Sequence, residues 1–124
     1  MITNVSTLPA QAPLAPRPES RTDAETMVRA FASGAAAYAD DDDSVRQCAR
    51  ILSVMLWRDI DQTEFSLLVD DIVKVGRLRT GVSLQDLFGE DDDDADKRGE
   101  WLFYYETQIS WHVDCILSAA GYRR

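Results

Sequence analysis

The stretch KRGEWLFYYETQISWHVDCILSAAG, residues 97–121, decides the fold. Trp101, Tyr104, Tyr105, Gln108, Ile109, His112, Cys115, Ile116 and Ala119 recur at the three- and four-residue spacing of one helix face. No part of the stretch alternates apolar and polar residues in twos, which excludes a strand. Gly121 stands where a helix terminator belongs, so the spacing predicts one long helix over about 97–120. At 100° per residue its apolar positions cover about 200°, from Trp111 round to Val113. A surface helix needs a stripe only somewhat wider than 100°. The helix is therefore expected at the centre of the domain, or partly covered by a partner. Phe103 points roughly opposite the stripe, beside Thr107, Ser110 and Asp114, and is the aromatic hardest to place in the same core.

Three upstream segments share the helical period. Thr22-Asp23-Ala24-Glu25 is a capping box, opening a helix to about 39 with Met27, Phe31, Ala35 and Tyr38 on one face. The small residues of 32–37 would let a neighbouring helix approach closely. Ser44-Val45-Arg46-Gln47 repeats the capping pattern, and Val45, Cys48, Ala49, Leu52, Met55 and Leu56 carry a second helix to about 58. Trp57 falls on its Arg46/Arg50/Ser53 side, away from that stripe. Asp61-Gln62-Thr63-Glu64 opens a third, with Phe65, Leu68, Val69, Ile72, Val73 and Val75 as its stripe and Gly76 as the residue after its end. Between Gly76 and Gly89, Ser83 can cap a single turn holding Leu84, Leu87 and Phe88.

These segments predict an all-α protein, a four-helix bundle or an irregular helical domain over 22–124. Residues 1–21 hold all four prolines of the chain and no charge before Arg17, which predicts a disordered N-terminal tail. Leu, Ile, Val and Phe make up about a quarter of the 124 residues, enough for a core despite the charge.

The formal charge is −9, and it is concentrated. Asp40, Asp41, Asp42 and Asp43 contribute −4. Glu90, Asp91, Asp92, Asp93, Asp94 and Asp96 contribute −6 within seven residues. The remaining 113 residues net +1, so a nearly neutral domain carries two acidic segments. Such segments repel nucleic acid and anionic lipid, which argues against direct contact with either. Both precede helix starts, where one or two carboxylates answer the free N–H groups and the helix dipole. The surplus carboxylates are candidates for recognising a basic partner surface, an attraction that speeds encounter and weakens with salt. In an up-down-up-down bundle both segments would meet at one end. The basic trio Lys74, Arg77 and Arg79 suits the negative end of the third helix.

Chemistry finds little support. An EF-hand starting at Asp92 would place Lys97 where Gly belongs and Phe103 where Glu belongs. His112 and Cys115 stand three apart on one face, but zinc needs a third protein ligand and only Cys48 is an obvious one. A buried His112 with a hydrogen-bonded partner is the structural expectation. Asp70 and Asp71 diverge by about 100° on their helix, and Asp61 is accounted for as a cap. No catalytic residue, metal or cofactor is assigned. Two cysteines are too few for a disulfide scaffold, and no Sec-type leader is legible at the N-terminus, so the cytoplasm is the expected location.

The function expected is non-enzymatic: a protein-binding module (inhibitor, regulator, adaptor or small chaperone). It would dock on a basic protein surface through the two acidic segments and the aromatics Trp57, Trp101 and Phe103. Two alternatives share this composition. One is a phage-type mimic of nucleic acid that blocks a DNA- or RNA-binding protein. The other is a small protein associated with type III secretion, whose signals have a similarly uncharged Ser/Thr/Pro-containing N-terminus. Homodimerisation through the wide aromatic face is a further expectation.

Overall fold

The computed structural model describes residues 16–123, and the tail expected over 1–21 lies largely outside them. Five helices follow in order: α1 Arg21–Ala36, α2 Asp42–Leu56, α3 Gln62–Arg79, α4 Leu84–Phe88 and α5 Ala95–Ala119. Among the described residues there is no strand, and the protein is all-α as its periodicity requires. The four long helices form the body, and α4 is the single turn that Ser83 caps.

Side-chain caps set where each helix begins. The Asp61 carboxylate accepts from the N–H groups of Thr63 and Glu64, at 2.8 and 3.1 Å, and starts α3 as expected. Two other starts lie upstream of the capping boxes. Ser20, not Thr22, caps α1 through the N–H of Asp23. Asp41, not Ser44, caps α2. Its carboxylate accepts from the N–H groups of Asp43 and Ser44 and also from the Ser44 hydroxyl. A charged acceptor binds free N–H groups more strongly than a hydroxyl does, and the earlier start leaves Asp42 and Asp43 in the favourable first turn.

The helix ends also differ from the sequence reading. α1 stops at Ala36 and leaves Tyr38 beyond it, exposed. α3 runs through Gly76 to Arg79, and the Gly76 carbonyl accepts from the N–H and hydroxyl of Thr80. α2 ends at Leu56. Trp57 follows with φ 60°, while its N–H reaches the Val54 carbonyl and that of Arg58 reaches Ser53. This is the Schellman closure, with tryptophan at the left-handed position usually given to glycine. A left-handed L-residue costs about 1–2 kcal/mol.

The core is assembled from one face of each long helix. Ala24, Val28, Ala32 and Ala35 of α1 meet Val45, Ala49, Leu52 and Leu56 of α2, Phe65, Leu68 and Val69 of α3, and Ile109, Val113, Ile116 and Leu117 of α5. The alanines of α1 are its buried seam, because small side chains let α2 and α3 come close, and Met27 and Phe31 pack at the edge. α5 runs antiparallel to both α1 and α3. Arg21 at the start of α1 pairs with Asp114, and Arg79 at the end of α3 pairs with Glu106. At the lower end, Arg17 and Pro18 bind the Tyr122 hydroxyl and Arg21 binds the Tyr122 carbonyl.

Central burial holds for only half of α5. From Ile109 onward its inner face is enclosed, whereas Phe103 is 74% exposed, Tyr104 50% and Trp111 56%. Over the aromatic half, Phe88 of α4 lies against Trp101 and Tyr105, and Tyr104 is left exposed.

Candidate protein-docking surface

The second acidic segment divides into two groups of carboxylates. Glu90 pairs with Lys97 at 2.8 Å. Asp94 caps α5 by accepting from the Lys97 N–H at 2.7 Å. Asp93 accepts from the Leu84 N–H, which helps to start α4, and from Arg98, with both carboxylate oxygens 2.9 Å from one guanidinium nitrogen. The backbone N–H first, then Arg98, hold the Asp93 carboxyl below the ordinary carboxylate range. Arg98 also donates to the Leu78 carbonyl at 2.8 Å and the Val82 carbonyl at 3.1 Å, tying the end of α3 to the start of α5. Asp91, Asp92 and Asp96 are exposed and make no hydrogen bond with a described residue.

In the first segment two of the four carboxylates, Asp41 and Asp43, are engaged. Asp41 caps α2, and its carboxyl is lowered by the Ser44 hydroxyl and then by the Ser44 N–H. Asp43 pairs with Arg46. Asp40 borders a hollow shared with Asp70, Lys74 and Arg77 of α3. The Lys74 ammonium stands 5.8 Å from the centre of the Phe88 ring. Two of the three basic residues at the end of α3 thus stand beside the acidic connections, and Arg79 reaches Glu106.

Beside the second segment lies an aromatic stack. Phe88 of α4 lies flat on Trp101, with ring centres 3.9 Å apart, and is nearly parallel to Tyr105 at 5.9 Å. Tyr104 stands at right angles to both, 6.1 Å from Trp101 and 5.0 Å from Tyr105. Glu90, Lys97, Glu100, Trp101, Tyr104 and Tyr105 line an open hollow of about 510 Å³. Burial, and then the nearby Asp71 carboxylate, hold the Tyr105 phenol above its ordinary value.

The three aromatics singled out in the sequence do not converge. Trp101 is in the stack. Phe103 is two residues on, about 200° round the helix, and faces away. Trp57 is at the far end of α2, and the 18 residues of α3, about 27 Å of helix, separate its connection from α4. Tyr104, Tyr105 and Phe88 are surface members that the stripe reading assigned to the core or to a connector. The signal that could have found them is the length of α4: one turn cannot cover an arc of 200°.

His112 is buried, as its place on the stripe requires, and it has two partners. Nδ1 meets the Glu64 carboxylate, and Nε2 lies 3.2 Å from Asp71. Both carboxylates come from α3, seven residues apart and hence on one face, a spacing visible in the sequence. Two hydrogen bonds across three groups require two protons among them. Burial is the main cause that raises the Asp71 carboxyl, opposed by His112. The Cys115 thiol is raised by burial and then by Glu64, which keeps it in the unreactive thiol form. Among the described residues no cluster of three or more His, Cys, Asp or Glu is placed to hold a metal ion. The triad joins α3 to α5.

Fold and surface together define a small helical domain with an aromatic face rimmed by carboxylates. The chain matches no protein-family model, no curated protein and no solved structure in the comparisons made. Among the described residues no helix is long and apolar enough to cross a membrane.

Proposed function

We propose that this chain is a non-enzymatic protein-binding module of the cytoplasm that docks on a basic protein surface through the α4–α5 connection and the aromatic face beside it. The observation that carries this reading is that Asp91, Asp92 and Asp96, exposed and without a hydrogen bond to a described residue, lie just upstream of the half-buried Trp101 and the exposed Tyr104. Carboxylates bring a basic partner into place and fix its orientation, and aromatic rings supply desolvated contact area. The net charge of −9 speeds the encounter and makes affinity fall with salt. A mimic of nucleic acid needs carboxylates spread along a face at phosphate-like spacing. Here the carboxylates that make no hydrogen bond with a described residue, Asp40, Asp42, Asp91, Asp92 and Asp96, fall in two separate clusters, so that reading is second.

The test is an affinity capture from the source organism at low and moderate salt. Wild type is compared with the triple variant Asp91→Asn, Asp92→Asn, Asp96→Asn and with the control Asp23→Asn. Loss of a basic partner from the triple variant alone, with capture weakening as salt rises, is the expected result. Identical partners from all three proteins would defeat the proposal.

A further inference from the structure

The hollow beside the acidic connection has the form of a cation receptor, and we infer that it takes the guanidinium of an arginine side chain presented by the partner. This inference rests on the docking reading above and names what enters the site. The first support is ring geometry. Trp101 and Tyr105 are within 22° of parallel and Tyr104 is perpendicular to each, so the rings make a corner rather than a flat patch. Aromatic faces attract cations through their quadrupole, and a planar guanidinium also stacks on them. The second support is charge. Glu100 lines the hollow and makes no hydrogen bond with a described residue. Glu90 is engaged by Lys97, which also lines the hollow, so Glu100 supplies its unpaired charge. The third is that the stack already attracts a cation elsewhere, with Lys74 over the Phe88 ring. A volume of about 510 Å³ is within the range of small-ligand sites and admits an arginine side chain with its flanking backbone.

Arginine is favoured over lysine because its flat, weakly hydrated head can lie on one ring while an edge N–H reaches Glu100. Lysine presents a compact, strongly hydrated charge that gives up more on leaving water.

The test titrates the full chain, labelled with ¹⁵N, with N-acetyl-arginine amide. N-acetyl-citrulline amide serves as a neutral isostere and tetramethylammonium chloride as a second cation. The expected result is saturable shifts of the Trp101 indole N–H and of the amides of 100–105, with a dissociation constant of roughly 1–10 mM for so small a probe. Citrulline should leave these signals in place. Tyr104→Leu should weaken the arginine probe about tenfold while Tyr104→Phe preserves it, and Glu100→Gln should weaken it about threefold to tenfold. Circular dichroism confirms that each variant is folded.

Equal shifts from citrulline, shifts confined to other residues, or no shifts would overturn the inference. Saturation by tetramethylammonium without response to arginine would replace the guanidinium with a small quaternary ammonium ligand. Partners captured by wild type and by Tyr104→Leu alike, but lost from the acidic triple variant, would leave docking intact and remove the arginine pocket alone.

Discussion

The His112 triad gives the sharpest prediction about what holds the molecule together. Replacing His112 with leucine leaves Glu64 and Asp71, side by side on one face of α3, without the donor that α5 supplies to both. Deleting one partner of a fully buried charged group costs about 3–5 kcal/mol. The Glu64 and Asp71 side chains keep 27% and 15% of their exposure, so water screens part of the loss and about 2–3 kcal/mol is expected. For a domain of this size that lowers the melting temperature by about 8–12 °C. Urea unfolding at pH 7, followed by far-ultraviolet circular dichroism, measures it directly. Burial holds the Asp71 carboxyl above its ordinary value, so it gains a proton early as the pH falls and the penalty should shrink in acid. His112→Gln, which can still donate one hydrogen bond, should cost less than leucine. A loss below about 0.5 kcal/mol, the size of an ordinary surface substitution, or one unchanged between pH 7 and pH 4, would refute the assigned role.

Two pH effects of opposite sign follow from the shifted carboxyls. Asp41 and Asp93 are held below their ordinary value. Their contribution is present at neutral pH and is lost as acid titrates them through that lowered range, so Asp41→Asn with Asp93→Asn should flatten the acid limb of a stability–pH curve. Asp71 is held above its ordinary value, so the native state binds its proton more readily and stability falls as pH rises through that window. Asp71→Asn should flatten the same curve just above the ordinary carboxylate range, while its side-chain carbonyl still accepts from His112. Gly76 lies inside α3 with nothing within 4 Å of a would-be Cβ, so Gly76→Ala should stabilise the protein by up to about 1 kcal/mol in thermal melts.

The helical class, the number of long helices and most of their inner faces were legible in the sequence, because a 3.6-residue period is a local property. Phe65, Leu68 and Val69, or Leu52 and Leu56, needed no tertiary knowledge to be placed inside. Boundaries were less legible. Ser20 competes with Thr22, and Asp41 with Ser44, for adjacent starts, and the choice depends on which donors the rest of the chain leaves unpaired. Gly76 looked like a terminator, yet the bonds of Thr80 and Arg98 to the end of α3 carry the helix past it.

The site divides along the same line. The sequence by itself determined that ten carboxylates sit in two short connections, and that Trp101 follows the second. Only the tertiary structure decided which of them are free. Asp41, Asp43, Glu90, Asp93 and Asp94 are engaged by backbone N–H groups or cations. The Arg98 that neutralises Asp93 also binds carbonyls 16 and 20 residues upstream. Likewise His112 announced its burial by position, but its two carboxylate partners come from another helix. Composition fixes how much charge a segment carries; solvation and pairing in three dimensions fix how much of it remains for a partner.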